Sequence, residues 1–81
     1  MAGTAGSSLT AELNRLASTT GKAAQGAANV YAGTSGLGLI GALNKKADAN
    51  RQPSAYKGLN AICNELASTT GKSASDALRT I

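Results

Sequence analysis

Apolar residues recur at helical spacing along the chain, and the recurring pattern itself repeats. Leu9, Leu13, Leu16 and Ala17 stand at i, i+4, i+7 and i+8, the spacing of one face of an amphipathic helix. Leu39, Leu43, Lys46 and Ala47 repeat the spacing with one lysine in the stripe, and Leu59, Cys63, Leu66 and Ala67 repeat it again. Ala24, Ala28, Tyr31 and Ala32 carry a thinner version, and Ala74, Leu78 and Ile81 a truncated one. With one valine and no period-two alternation, strands have little support. The stripes predict helices near residues 7–17, 22–32, 37–47, 54–67 and 72–80.

Between the stripes lies a connector of the form A-x-T-[TS]-G. It reads Ala17-Ser18-Thr19-Thr20-Gly21, Ala32-Gly33-Thr34-Ser35-Gly36 and Ala67-Ser68-Thr69-Thr70-Gly71, with degenerate copies at Ala2-Gly3-Thr4-Ala5-Gly6 and Ala47-Asp48-Ala49-Asn50-Arg51. The starts at 2, 17, 32, 47 and 67 define units near 2–16, 17–31, 32–46, 47–66 and 67–81, the fourth carrying an insertion around Gln52 to Tyr56. Asn14, Asn29, Asn44 and Asn64 each stand three residues before the next unit's alanine, and Arg79 takes that place in the last unit.

The connectors read as helix stops and starts. Gly33 can take the left-handed conformation that ends a helix, and Ser18 and Ser68 occupy the same place less comfortably. Thr20, Ser35 and Thr70, each just before a glycine of the Gly21, Gly36, Gly71 column, offer an oxygen to cap the following helix. Pro53 and Ser54 open the one longer helix. The asparagine column has two readings: its carboxamides tie each helix end to the next connector, or they serve only to end the helices. Helices of about ten residues, roughly 15 Å long, are marginal alone and must stack. The expected fold is all-α: five short helices in a 15-residue repeat, one domain over 1–81, as a compact bundle or a short solenoid.

Composition sharpens this picture. Leu, Ile and Val number 13, Phe and Trp are absent, and Ala contributes 17 residues and Gly 10, so close helix approach replaces side-chain bulk. Small domains complete a thin core with disulfides, metals or association. With one cysteine and no histidine, the first two routes are closed within a single chain and association with other chains is what remains, and Cys63 reads as a small core hydrophobe. The start M-A-G-T-A-G-S-S has neither a basic opening nor an apolar run, and Leu37 to Leu43 is too short to span a bilayer, so synthesis in the cytoplasm and no membrane contact are expected. The net charge of +4 is spread along the chain and admits weak nucleic-acid contact, but only Tyr31 and Tyr56 are available for stacking.

Thr70-Gly71-Lys72-Ser73 looks like the end of a phosphate-binding loop. That loop needs a glycine where Leu66 stands, and a strand before it where the stripe reads as helix. The acids Glu12, Asp48, Glu65 and Asp76 fall in different units, and the repeat does not pair them. No catalytic, cofactor-binding or metal-binding residues are therefore expected, and the chain reads as a non-enzyme.

Ala32-Gly33-Thr34-Ser35-Gly36-Leu37 followed by Ala42-Leu43-Asn44 resembles small repetitive proteins of tailed bacteriophages of actinobacteria, in which A-G-T-[TS]-G-L precedes a helix carrying A-L-N. Ala17 to Gly21 with Ala28-Asn29, and Gly58-Leu59-Asn60 leading to Asn64-Glu65-Leu66-Ala67, extend the likeness over nearly the whole chain. The resemblance implies a virion component, a minor capsid or capsid-decorating protein whose partners are other virion proteins, foremost the major capsid protein, with self-association also open. A tail or connector component is the alternative, and a small basic nucleic-acid-binding or host-regulatory protein is a second. Leu37, Leu39, Ile40, Leu43, Tyr56, Leu59 and Ile62 exceed what the stripes require and form the expected contact set.

Overall fold

The computed structural model describes residues 8–81, so the first degenerate connector, at 2–6, lies outside the described residues. Five α-helices follow one another: α1 Leu9–Ala17, α2 Ala24–Ala32, α3 Leu39–Ala47, α4 Leu59–Ala67 and α5 Ala74–Arg79, with a 3-10 turn at Pro53–Ala55 before α4. No strand occurs among the described residues.

The first four helices end at the alanines that close the stripes. Ser18, Gly33 and Ser68 take left-handed conformations with φ of 58°, 72° and 58°. The chain then folds back on the helix end: Thr19 N–H donates to the Asn14 carbonyl at 2.9 Å and Ser18 N–H to the Arg15 carbonyl at 3.2 Å, the paired bonds of a Schellman motif. α2 and α4 end in the same way. The worn connector after α3 has neither Gly nor Ser at that position, and Asp48 leaves the helix in extended conformation.

The helix starts correct the sequence reading. The caps are Ser8, Ala23, Gly38, Gly58 and Ser73, all extended; α1, α2, α3 and α5 begin two residues later than the stripes suggest, and α4 five. Ser8 and Ser73 accept the N–H groups of Ala11 and Asp76, whereas Ala23, Gly38 and Gly58 supply no side-chain cap. Thr20, Ser35 and Thr70 therefore do not cap; they stand three residues upstream of Ala23, Gly38 and Ser73. The helix expected over 54–67 is also divided. Pro53–Ala55 makes a single 3-10 turn, Tyr56 and Gly58 are extended, and the α-helix starts only at Leu59.

Burial follows the 15-residue ruler. Leu13, Ala28, Leu43, Cys63 and Leu78, the centre of each stripe, are fully buried. A second buried column, not marked by the stripes, stands one residue before it: Ala27, Ala42, Ile62 and Ala77, with Glu12 in its first place. These apolar residues form one cluster, against which Leu9, Leu16, Leu37, Leu39, Leu59 and Leu66 pack in part. Small residues in the second column let neighbouring helices approach, and Gly41 lies beside the Tyr56 ring with room for a methyl group in ordinary contact. Lys46, the odd residue in its stripe, places Nζ 4.7 Å from the ring centroid of Tyr31 on α2.

Successive helices pack on one another, and α5 returns to α1. Arg15 Nη2 on α1 donates to the Leu78 carbonyl on α5 at 2.8 Å. The repeat thus closes into a bundle instead of running on as an open solenoid. Its radius of gyration is 11.7 Å, and it is flattened, with extents of 38 × 27 × 14 Å.

Candidate functional site

The connectors hold the most organised polar chemistry in the molecule, built from the asparagine column. Asn14 Nδ2 donates to the Thr10 carbonyl, one turn back in its own helix, and to the Lys22 carbonyl in the following connector, both at 2.9 Å. Its Oδ1 accepts the Thr19 hydroxyl at 2.8 Å and the Lys22 N–H at 3.1 Å. A carboxamide has two donors and an oxygen that accepts two bonds, so all four valences are filled. Two of them meet the N–H and C=O of a single residue, as a neighbouring strand would.

The arrangement recurs. Asn29 clamps Leu37 and accepts the Thr34 hydroxyl, and Asn64 clamps Lys72 and accepts the Thr69 hydroxyl. Asn44, fully buried, reaches across the insertion to clamp Lys57. Since both backbone groups of Lys57 are held in this way, helix cannot run through it, which accounts for the division of the expected 54–67 helix. Of the two readings of the column, clamping is the one the geometry supports.

The third connector replaces the missing threonine with a cation. Arg51 Nη1 donates to Asn44 Oδ1 at 2.8 Å, and Nη2 donates to Glu65 Oε2 on α4 at 2.8 Å. Lys57 Nζ meets the other oxygen of Glu65 at 2.6 Å, and Lys45 Nζ donates to the Arg51 carbonyl. Hydrogen bonds from Lys57 and then Arg51 hold the Glu65 carboxyl below the usual glutamate range. The sequence did not single out Arg51, but one signal was present: it stands in the glycine column, where a side chain is otherwise missing.

Gly21, Gly36 and Gly71 carry φ of 76°, 75° and 75°, and this left-handed step turns the connector back so that the next residue can meet the asparagine. At Thr70-Gly71-Lys72-Ser73 two of the groups a phosphate would use are otherwise engaged. Lys72 N–H is bonded to Asn64, and the Ser73 hydroxyl oxygen accepts from Asp76 N–H. An open depression of about 580 Å³ lies there, lined by residues that include Lys57, Asn60, Thr70, Gly71 and Lys72. One of its two lysines is paired with Glu65.

The expected contact set divides. Leu43 and Ile62 are fully buried in the chain's own core and are withdrawn from any surface. Ile40 is exposed, while Leu37, Leu39, Tyr56 and Leu59 are half-buried. Val30, 46% exposed on α2, was not in the set. Three of the four acids form ion pairs with cations, Glu12 with Arg15 and Arg79, Glu65 with Arg51 and Lys57, and Asp76 with Arg79, while Asp48 Oδ1 accepts the Asn50 N–H. Cys63 is fully buried, and burial pushes its thiol up to about 11.

Among the described residues no group of three or more His, Cys, Asp or Glu is placed to hold a metal, and no helix is long and apolar enough to cross a membrane. Compared with protein-family models, with curated proteins and with solved structures, the chain finds no match in any of the three.

Asn29→Asp tests the clamp at a site with no cation in the network. The aspartate keeps the acceptors but turns a carboxylate oxygen toward the Gln25 and Leu37 carbonyls, and urea unfolding at neutral pH is expected to show a loss of about 2–3 kcal/mol. A loss below about 0.5 kcal/mol, the usual range for a neutral surface substitution, would contradict the clamp. Glu65 gives a pH signature. Its folded-state pKa is lowered, so its stabilisation is present at neutral pH and disappears as pH falls through the folded value. The stability difference between wild type and Glu65→Gln is therefore expected to be largest near pH 7 and to vanish on acidification below the ordinary carboxylate range. A difference that persists unchanged at acid pH would mean that the carboxylate charge is not its source.

Proposed function

We propose that the chain is a non-enzymatic structural component of a bacteriophage virion, a minor capsid or capsid-decorating protein that binds and reinforces a larger symmetric assembly. The observation that carries this reading is the repeated connector. Hydroxyls, amides and carbonyls that in another setting would bind a ligand are engaged by the asparagine clamps, which gives several copies of one backbone shape on a small, flattened body. A shape presented more than once suits a partner that is itself repeated. The likeness of Ala32 to Leu37 and Ala42 to Asn44 to phage repeat proteins points the same way. The contact face we assign centres on exposed Ile40, with Leu37, Leu39, Tyr56 and Leu59 beside it, and the major capsid protein is the partner we assign to it.

A second reading, a small nucleic-acid-binding protein, is favoured by the net charge of +4 and by the exposed Lys22 and Lys72. Mass spectrometry of purified virions of the encoding phage separates the two. The structural reading expects the protein in stoichiometric amount, with cross-links from the α3 face to a shell protein. Its absence from virions, together with DNA or RNA affinity that falls steeply with salt, would replace the structural reading with the second one.

A further inference from the structure

Two positions break the repeat, and the fold brings them together. The column filled by Ala27, Ala42, Ile62 and Ala77 holds Glu12 in the first unit, where the carboxylate is only 1% exposed. The column filled by Asn14, Asn29, Asn44 and Asn64 holds Arg79 in the last. Each has an ion-pair partner one turn away in its own helix, Arg15 for Glu12 and Asp76 for Arg79. A methyl group fills the Glu12 place on α2, α3 and α5, and a clamping asparagine fills the Arg79 place on α1 to α4. The two residues also meet each other across the seam between α1 and α5.

At that seam Glu12 Oε1 accepts from Arg15 Nε at 2.9 Å, and Glu12 Oε2 lies 3.6 Å from Arg79 Nε. Arg15 also donates to the Leu78 carbonyl, and Arg79 pairs with Asp76 in its own helix. The other four junctions, α1–α2 through α4–α5, each have a covalent connector and an asparagine clamp. The α1–α5 junction has neither. A buried carboxylate is tolerated only while its cationic partners stay in place, so the closing of α5 on α1 and the burial of Glu12 support each other.

We propose that Glu12 and Arg79 form an ionic latch that closes the bundle by holding α5 on α1. The latch makes the α1–α5 seam the place where the bundle opens, and α5, at six residues the shortest helix, the element that leaves. Release uncovers the apolar column at Leu13 and Leu78 while the clamped run from α1 to α4 stays folded.

The test is amide hydrogen exchange on the full chain, comparing Arg79→Asn, the residue the other units carry, with Arg79→Lys. Arg79→Asn is expected to speed exchange of the α5 amides at least tenfold and leave α2 and α3 unchanged, while Arg79→Lys stays within about threefold of wild type. Arg79→Glu, which sets two carboxylates against each other, is expected to open α5 further, and Glu12→Lys in the same chain to restore its protection. The latch is overturned if Arg79→Asn leaves α5 as protected as in wild type. It is overturned equally if α2, α3 and α5 lose protection together, because Arg79 would then support the whole fold and not the seam.

Discussion

A carboxamide that bonds both the N–H and the C=O of one residue in the next connector is the constraint from which the rest of this structure follows. A carboxylate has no donors, a hydroxyl has one, and glutamine is a methylene longer; asparagine alone matches a peptide group at this distance. Once Asn14, Asn29, Asn44 and Asn64 hold Lys22, Leu37, Lys57 and Lys72, the geometry of the repeat is largely determined. The helix ends three residues after the asparagine, and the chain turns back through left-handed residues after α1, α2 and α4 and through an extended Asp48 after α3. The clamped residue has both backbone groups engaged outside any helix. The next helix can begin only beyond it.

This division of labour explains how so small a hydrophobic content forms a folded bundle. Ala27, Ala28, Ala42 and Ala77 contribute little area each, and the gain from burying a methyl group is modest. Alanine does allow helices to come close, and the polar clamps supply the specificity that large side chains provide elsewhere. A fully satisfied buried polar network holds one arrangement because every alternative leaves donors or acceptors unmet. The third connector shows that the requirement is chemical and not tied to one residue type. Where threonine is missing, Arg51 brings a guanidinium to the same Asn44 oxygen and anchors itself on Glu65.

Much of this was legible in the sequence. The helix ends were readable because a left-handed Gly or Ser and the last apolar residue coincide at Ala17, Ala32 and Ala67. The central core column was readable from the 3.6 period. The helix starts were not, because periodicity continues through residues such as Lys22 and Lys57 whose backbone N–H and C=O are taken by a side chain eight or thirteen positions earlier. The second core column was hidden by alanine, which reads equally well as surface or interior. A surplus of bulky residues around α3 and α4 suggests a partner face that includes Leu43 and Ile62; the helices pack on two columns, Leu43 in the first and Ile62 in the second, and both residues face inward. The pairing of Glu12 with Arg79 was out of reach, since nothing local reveals that the last helix returns to the first. The departure of both from their columns was the visible trace.

Amide hydrogen exchange at four backbone N–H groups tests the central role of the clamps most directly. Lys22, Leu37, Lys57 and Lys72 lie in connectors, where exchange is ordinarily fast, yet each donates to an asparagine oxygen. If the clamps organise the fold, these four exchange as slowly as the amides of the helix cores, and each accelerates when its own asparagine is replaced. Exchange as fast as that of an open loop, in the wild-type protein under native conditions, would show that the helices hold together without them.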